Sequence, residues 1–197
     1  METPLVSINM VVFNGGPFIG EAINSILNQT FNKFEFIIID NGSIDNTVKE
    51  IELFEDNRIK LFKNKINKGI AFSRNQALDL STGKYIAILD ADDVSSPNRL
   101  ELEVCYLEEN PDYGLIGGKA DLINEKGEKI NRIQSLSFSA DETKAYLLFK
   151  KCFTHSTVMY RKKLLKKIRF NENMPVGEDY DIVVKIAAQK KVKKGSI

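Results

Sequence analysis

The sequence predicts an α/β fold with a mostly parallel central sheet flanked by helices. Apolar, β-branched segments alternate with segments in which apolar residues recur every three or four positions, as amphipathic helices require. The strand segments are apolar almost throughout, which is typical of strands covered on both faces. Turn residues separate the segments, and repeated strand–helix units favour parallel strands joined by helical crossovers.

The first half of the chain contains four strand segments. They cover residues 5–13, 34–39, 58–62 and 84–89, and the helices between them follow residue 16 and cover residues 44–54 and 70–80. Pro17 stands in the first turn of the first helix, where proline is tolerated. The apolar stripe of that helix consists of Ile19, Ala22, Ile23, Ile26 and Leu27. In such sheets, ligands bind beyond the carboxyl ends of the strands.

The second half is less regular. Ser95 or Ser96 is expected to cap a helix that has Pro97 in its first turn and ends near residues 110–111. A strand-like region at 114–123, a hairpin turn at 125–128, a helix at 141–150, a strand at 156–160 and a helix at 178–189 follow. Between this last helix and residues 194–197, the sequence shows no evident closing element. With no repeat or flexible linker, residues 1–197 are expected to form one domain.

Composition excludes several classes of protein. The 197 residues are 43% hydrophobic and 28% charged with 12 Gly and 5 Pro, as in a folded domain. The net charge is +1 and Trp is absent, so nucleic acid is not an expected partner. Cys105 and Cys152 are far apart with one histidine in the chain, which disfavours disulfide scaffolds and zinc–thiolate sites. Residues 1–4 do not resemble a signal peptide and no apolar run is long enough to span a membrane, so a cytoplasmic location is predicted.

Charge is distributed unevenly along the chain. Residues 143–171 contain nine basic residues and no acidic residue, whereas residues 1–142 carry a net charge of −9. The usual interpretation of the run at 161–169 is a short helix packed on the domain with a solvated cationic face. The alternative is peripheral contact of the basic 144–169 segment with an anionic membrane or a lipid phosphate, at about 1 kcal/mol per basic residue.

Acidic turns follow two of the predicted strands. Asp40 follows the strand at 34–39, and Asp90 and Asp92 follow the strand at 84–89. Adjacent carboxylates repel one another, and a bound Mg²⁺ or Mn²⁺ would relieve that repulsion, although Asp-rich turns also cap helices. Glycine-rich phosphate loops are absent from the sequence, which disfavours dinucleotide oxidoreductases and P-loop ATPases.

Six segments follow one another along nearly the whole chain: VSINMVVFNGGPFIGEAINSILNQTF, FEFIIIDNGSIDNT, NKGIAFSRNQAL, GKYIAILDADD, HSTVMYRK and GEDYDIVVKIA. In this order and approximate spacing, they resemble the family 2 glycosyltransferases. The resemblance implies the GT-A fold, of Rossmann-like type, and a nucleotide-diphosphate-sugar donor. Residues 1–93 would then form the nucleotide-binding half, and residues 94–197 the acceptor-side half.

The resemblance also implies roles for residues of the donor site. Asp40 would accept a hydrogen bond from the ring N–H of uracil, which cytosine lacks; guanine has such a group and is not excluded. Asn41 stands where the family usually has a second acid. Arg74 would lie near the base and phosphates, with a surface arginine as the alternative. Val11, Phe13 and Asn14 would line the base pocket.

Further roles concern the metal and the chemistry. Asp90 would contact the ribose and Asp92 would hold the metal, Mn²⁺ or Mg²⁺, on the donor diphosphate, while Asp93 is a candidate helix cap. Asp179 matches the catalytic base of the family, with Glu178 as its rival. By itself, the acidic stretch at 178–181 would indicate only the first turn of a helix.

The function expected is transfer of a hexose-type sugar, most simply from a UDP-sugar, to a hydroxyl of a saccharide or glycolipid acceptor in surface polysaccharide or glycolipid synthesis. Two alternatives remain at this point. One is a non-catalytic nucleotide-sugar-binding fragment. The other is a sugar-phosphate nucleotidylyltransferase, which the absence of a basic residue in the turn at 14–17 disfavours. His155, the single histidine, is most simply a core or surface residue, with the acceptor or metal site as an alternative location.

Overall fold

A computed structural model describes residues 3–132 and 138–195 of the chain. Residues 1–2, which belong to the segment considered for a signal peptide, and the last two residues lie outside the described part. The first half contains β1 Val6–Val12, α1 Gly16–Leu27, β2 Phe34–Asp40, α2 Thr47–Glu52, β3 Ile59–Lys63, α3 Ile70–Leu80 and β4 Tyr85–Ile88. The predicted alternation of strands and helices is confirmed, with a shorter α2 than expected.

The second half mixes short strands with helices. It contains α4 Arg99–Glu109, β5 Tyr113–Gly117, β6 Asp121–Ile123, β7 Lys129–Arg132, α5 Ala140–Leu147, a 3₁₀ turn His155–Thr157, β8 Val158–Arg161, α6 Lys162–Leu165, α7 Glu178–Ala187 and β9 Lys191–Lys194. The predicted strand-like region at 114–123 divides between β5 in the main sheet and β6, which pairs with β7 across the expected hairpin turn.

The main sheet has the strand order β3-β2-β1-β4-β8-β5-β9. Strands β1 to β4 are mutually parallel, and β5 is parallel to β9, whereas β8 runs antiparallel to both of its neighbours. The prediction of a mostly parallel sheet flanked by helices is therefore confirmed. After β1 the chain builds β2 and β3 on one side and β4 on the other, so the carboxyl ends of β1 and β4 flank the switch point where such folds bind ligands.

Burial on both faces of the sheet explains the apolar strands. All seven residues of β2 are buried, and Val6, Ile8 and Met10 of β1 are fully buried. Apolar side chains of α1 and α4 pack with those of β1 into one core cluster, while α7, β5 and β8 contribute to a second cluster. The strands therefore form a rigid platform for the loops at their carboxyl ends.

A buried carboxylate ties together the opposite, amino ends of the strands. Glu35 of β2 accepts hydrogen bonds from Ser7 Oγ at 2.5 Å and Thr82 N at 2.6 Å, and it pairs with Lys60 Nζ at 2.6 Å. Burial by itself would raise the pKa of Glu35, but these donors together lower it to about 2. The carboxylate is thus kept charged and holds β1, β2, β3 and the start of β4 in register.

Two of the predictions for the second half are wrong. Neither Ser95, Ser96 nor Asp93 caps α4, whose N-cap position is Asn98. Ser95 is instead held to α1, because its backbone N–H donates to Ser25 Oγ at 3.0 Å. The chain also has a closing element, since β9 adds a parallel edge strand to β5. Its polar sequence, KVKK, lacks the apolar run that identified the central strands.

Candidate active site

The loops that follow β1, β2 and β4 meet at the carboxyl edge of the sheet. Val12 of β1 lies opposite Asp40 of β2 in the parallel register, and Asp90 follows β4, the other neighbour of β1. Phe13 and Asn14 follow β1 directly. The sequence-predicted donor residues are therefore brought to one edge by the topology of the sheet.

Asp40 is buried at the end of β2 and heads a tightly bonded loop. Both of its carboxylate oxygens lie 3.3 Å from Ser43 N, which leaves much of their accepting capacity unused. Asn14 has a positive φ of 55° and fixes the same loop from β1: its N–H donates to Ser43 Oγ and its side-chain oxygen accepts from Ile44 N, each at 2.9 Å. Asn14 thus positions the loop that carries Asp40.

Asn41 organises the next loop of this edge. Its side-chain amide donates to Asn67 Oδ1 at 2.9 Å, and its oxygen accepts from Lys68 N at 3.1 Å. Gly42 follows with a φ of 85°, and a Cβ there would lie 2.7 Å from the carbonyl carbon of Ile66. Loop 41–46 therefore packs closely against loop 64–68.

The two apolar residues predicted to line the base pocket differ in exposure. Phe13 is 46% exposed, so its ring is accessible at the edge of the sheet. Val11 is half-buried and packs against the cluster of Ile37, Ile39 and Ala77. Phe13 therefore offers a flat apolar surface at this edge, whereas Val11 belongs largely to the packing behind it.

Arg74 connects the loop after β4 to the start of α7. The guanidinium is buried, and it donates to Asp90 Oδ1 at 3.1 Å and to Glu178 Oε1 at closer range. It also lies over the ring of Phe170, with Cζ 5.6 Å from the ring centroid. The alternative of a surface arginine is wrong. Glu178, the rival of Asp179, is a buried partner of this arginine.

The carboxylates of the turn after β4 differ in environment. Asp90 is held in place because its backbone N–H donates to Ser156 Oγ at 3.0 Å. Asp92 is exposed, and no hydrogen bond or ion pair engages its carboxylate within the described residues. Burial and the charges of Asp90 and Asp92 raise the pKa of Asp93, against the lowering effects of Ser156 and Arg99.

A metal ion would need ligands beyond the protein at this turn. Among residues 3–132 and 138–195, no three His, Cys, Asp or Glu side chains cluster closely enough to hold an ion by themselves. Mg²⁺ at nucleotide sites is usually held by one or two carboxylates together with substrate phosphates. The free carboxylate of Asp92 fits that arrangement.

Asp179 faces a small cavity between α7 and the segment that follows α5. One carboxylate oxygen accepts from Tyr180 N at 2.7 Å and the other pairs with Lys151 Nζ. The side chain is 13% exposed. The cavity has a volume of about 10 Å³, which is too little for a sugar.

His155 lines the same cavity and is buried. Neither ring nitrogen has a hydrogen-bond partner among the described residues, and the ring packs edge-on against Phe170 with centroids 5.8 Å apart. Burial lowers the pKa of His155 well below its usual range, and Arg74, Lys151 and Arg99 add to the effect. The imidazole is therefore neutral, and it is a core residue at the border of the site.

A larger cavity of about 500 Å³ adjoins the Asp90–Asp93 turn. Asp93, Ser156 and Thr157 line it near the turn, and the hairpin of β6 and β7 lines it on the far side. Its wall combines apolar surface with hydroxyl, carboxylate and ammonium groups, which are able to bind the hydroxyl groups of a ligand. Its volume lies within the range of small-molecule sites.

Comparison with models of protein families identifies the family of the chain. Residues 7–169 match the model of glycosyl transferase family 2, which is most of the chain. The chain belongs to glycosyl transferase family 2. The nucleotidylyltransferase alternative is thereby set aside in favour of the glycosyltransferase.

Curated relatives of this family 2 glycosyltransferase are themselves named glycosyltransferases. An uncharacterized glycosyltransferase of Methanocaldococcus jannaschii is 36% identical over 193 residues, 95% of this chain and 66% of the relative. The O-antigen biosynthesis glycosyltransferase WbnJ of Escherichia coli is 35% identical, over 92% of this chain and 71% of its own length. The chain thus spans about two thirds of these relatives.

A third relative has a more specific name. The UDP-Glc:alpha-D-GlcNAc-diphosphoundecaprenol beta-1,3-glucosyltransferase WfgD of E. coli is 38% identical over 124 residues, which are 63% of this chain and 49% of the relative.

Solved structures confirm the GT-A type of fold for this family 2 chain. S. aureus TarS 1–349 in complex with UDP superposes with a TM-score of 0.78 at 22% identity, over 97% of this chain and 60% of that protein. The mannosyltransferase PcManGT of Pyrobaculum calidifontis, in complex with GDP-Man and Mn²⁺, gives 0.73 at 20% identity, over 100% and 57%. At these identities the likeness establishes the fold alone.

The basic segment of this family 2 chain is partly used inside the fold. Arg161 is buried and donates to the carbonyl oxygens of Tyr113 and Asn110, Lys162 donates to Ser81 O, and Arg169 pairs with Asp79. Six of the nine basic side chains remain exposed: Lys144, Lys150, Lys151, Lys163, Lys166 and Lys167. In the described part of the chain no helix is long and apolar enough to cross a bilayer.

Sequence reasoning missed two contacts of the site. It did not connect Lys151 with Asp179, 28 positions away, nor Ser156 with Asp90, 66 positions away. Ser156 directly follows His155 in one of the segments that carry the family resemblance, so the sequence did indicate that this segment is functionally relevant. Lys151 appeared only as one member of the basic segment, and nothing in its immediate sequence distinguishes it from the other lysines.

Proposed function

We propose that the chain is a metal-assisted, inverting glycosyltransferase that moves a sugar from a UDP-sugar to a hydroxyl group of a saccharide or glycolipid acceptor. Surface polysaccharide or glycolipid synthesis is the process that this activity would serve. One observation carries the proposal. Arg74 bonds both to Asp90, beside the donor loops, and to Glu178, the neighbour of Asp179, so donor-side and acceptor-side carboxylates belong to one cluster.

The donor side would be formed by residues 1–93. Asp40 has unused acceptor capacity at the edge of the sheet, as recognition of the uracil ring N–H requires, and the exposed ring of Phe13 lies on the neighbouring loop. Asp90 would accept from a ribose hydroxyl. Of the proteins with this fold, TarS binds UDP and PcManGT binds GDP-Man, and uracil and guanine both carry a ring N–H from which Asp40 would be able to accept a hydrogen bond.

The metal site would be formed by Asp92, assisted by Asp90, together with the donor diphosphate. A divalent cation bound there supplies offsetting charge as the nucleoside diphosphate gains negative charge on leaving. The structure of PcManGT contains Mn²⁺, which supports a divalent cation, Mn²⁺ or Mg²⁺, at this site.

Asp179 would act as the general base. An acceptor hydroxyl oxygen attacks the anomeric carbon as Asp179 takes the hydroxyl proton; the new C–O bond forms while the bond from the anomeric carbon to the diphosphate oxygen breaks. The nucleoside diphosphate leaves with the bonding electron pair, and the anomeric configuration is inverted. Lys151 must release the carboxylate oxygen that it now engages.

The acceptor side would be formed by residues 94–197. The cavity of about 500 Å³ beside Asp93 has room for a saccharide, and its hydroxyl-rich wall offers hydrogen bonds to sugar hydroxyls. WbnJ is named for O-antigen biosynthesis and WfgD for a diphosphoundecaprenol-linked acceptor, which supports a saccharide or glycolipid acceptor here.

Calorimetric titration with nucleoside diphosphates tests the donor assignment. UDP in the presence of Mn²⁺ should bind more tightly than CDP or ADP, because the latter two lack a ring N–H for Asp40. A chelator or Asp92→Asn should weaken UDP binding, while Asp40→Asn should narrow the difference between UDP and CDP. Equal binding of UDP and CDP by the parent chain would refute the role of Asp40, and absence of binding to every nucleotide would refute the donor site.

A further inference from the structure

We propose that residues 147–151 form the docking edge for an acceptor sugar attached through a diphosphate to a membrane lipid. The inference rests on the proposed function and names the class of acceptor for the same site. It concerns a segment that the catalytic scheme uses only at one end, where Lys151 meets Asp179.

Both ends of this segment are held beside Asp179, the proposed catalytic base. Leu147 is buried, and its carbonyl oxygen accepts a hydrogen bond from Tyr180 Oη on α7. At the other end, Lys151 Nζ pairs with Asp179 Oδ2. Anything that binds to the segment is thereby placed beside the carboxylate that would take the acceptor proton.

The middle of the segment presents apolar side chains to solvent. Leu148 is 75% exposed and Phe149 is 87% exposed, followed by the exposed Lys150. The turn is held in place, because the backbone N–H groups of residues 148–150 donate to carbonyl oxygens of Ala145 and Tyr146 at 3.0 to 3.2 Å. A Leu–Phe pair at the tip of an ordered turn is suited to entering the apolar boundary of a bilayer.

The order of chemical groups along the segment matches the order of groups in such an acceptor. Lys151 pairs with Asp179, and along the chain it is preceded by the exposed Lys150 and then by the exposed apolar pair Phe149 and Leu148. A diphosphate-linked lipid sugar offers a hydroxyl, then two phosphates, then a hydrocarbon chain. Charge and polarity are therefore complementary from one end to the other.

Docking would also release the base. Lys151 is 52% exposed at its side chain, so a diphosphate can reach the ammonium group from solvent. Phosphate oxygens that bind this ammonium compete with Asp179 for it, and the freed carboxylate oxygen can then accept the proton of the acceptor hydroxyl. A saccharide without a diphosphate would leave the Lys151–Asp179 pair in place.

Vesicle co-sedimentation of the full chain tests this inference. Phosphatidylcholine vesicles containing a polyprenyl diphosphate that bears one sugar should bind the chain at least about tenfold more tightly than vesicles with phosphatidylglycerol at matched charge. The double variant Leu148→Ser, Phe149→Ser and the variant Lys151→Gln should each remove most of that difference. Leu53→Ser is the matched control, since Leu53 is 73% exposed at the end of α2 and should have no effect.

Three results would overturn the inference. Equal binding to both kinds of charged vesicle would indicate a general anionic surface, and unchanged binding of the double variant would exclude the apolar pair. Dissociation of a dimer by the double variant in sedimentation velocity would assign the pair to contact between copies. UDP titration of the same samples separates these outcomes from failure of the proposed function, because the double variant should bind UDP like the parent chain.

Discussion

Arg74 is buried between two carboxylates that come from different halves of the chain. Removing it leaves Glu178 buried without a cation, which is costlier than losing an exposed pair. We expect Arg74→Gln to lower the free energy of unfolding by about 3 kcal/mol, with Arg74→Lys in between. Arg169→Gln, which breaks the more exposed pair with Asp79, should cost about 1 kcal/mol or less. Chemical denaturation measures both, and equal losses would contradict the account.

Glu103 gives the stability of the chain a pH dependence. Its side chain is 1% exposed, and burial raises its pKa from 4.5 to about 7 in spite of the bond from Arg99 Nε at 3.1 Å. A carboxyl that holds its proton more tightly when folded stabilises the fold at low pH, and this contribution is lost as the pH rises from about 4.5 through about 7. The loss amounts to something on the order of 3 kcal/mol.

The variant Glu103→Gln removes this titrating group. Its free energy of unfolding should therefore fall less than that of the parent between pH 4.5 and pH 7. Glu101→Gln, on the exposed side of the same helix, serves as control and should follow the parent. Denaturation curves at a series of pH values decide the matter, and parallel pH profiles for Glu103→Gln and the parent would show that Glu103 does not titrate in this range.

Loop 41–46 depends on Gly42, because any larger residue there would displace the backbone of the neighbouring loop at Ile66. Gly42 and Gly69 both have left-handed φ values, 85° and 88°, so alanine strains either by about 1–2 kcal/mol. Only at Gly42 does an added Cβ also collide with the backbone, 2.7 Å from Ile66 C, whereas nothing lies within 4 Å at Gly69. Gly42→Ala should weaken UDP binding at least about tenfold and Gly69→Ala much less. Similar affinities of the two variants in calorimetry would contradict a donor role for this loop.

Some helices and strands could be predicted from their own sequence and others could not. Strands β1, β2 and β4 were predicted to within a few residues, because burial on both faces requires apolar side chains throughout. The edge strand β3 was also found, although it is only half-buried, because apolar Ile59 and Leu61 alternate with lysine in it. Strand β9 was missed because an edge strand can be polar; its Lys194 packs along the sheet and donates to Gly118 O at 2.7 Å. The cap of α4 was wrong because tertiary contacts of Ser95 with Ser25 and Gln29 replaced local capping.

At the scale of the whole molecule, the sheet topology explains why a site could be predicted at all. Residues at the carboxyl ends of β1, β2 and β4 must meet at one edge once the strands are parallel, so Asp40 and Asp90 were found from strand assignments, whereas Asn14 came from the family resemblance. Asp179 depended on the family resemblance. Its contact with Lys151 and the bridge from Arg74 to Glu178 arise from the packing of the irregular second half, which has no sequence periodicity to reveal it.

Separate measurements of donor binding and of sugar transfer test whether Asp179 is the catalytic base. Asp179→Asn keeps the shape of the side chain but removes the base, and Asp181→Asn, on the same helix and paired with Lys185, is the matched control. With a UDP-sugar, Mn²⁺ and an acceptor, we expect Asp179→Asn to lower sugar transfer by about 10²- to 10⁴-fold, while UDP affinity stays at the parent value. Asp181→Asn should retain both. Transfer by Asp179→Asn at the parent rate, or a parent chain that binds UDP and transfers nothing, would contradict this role of Asp179.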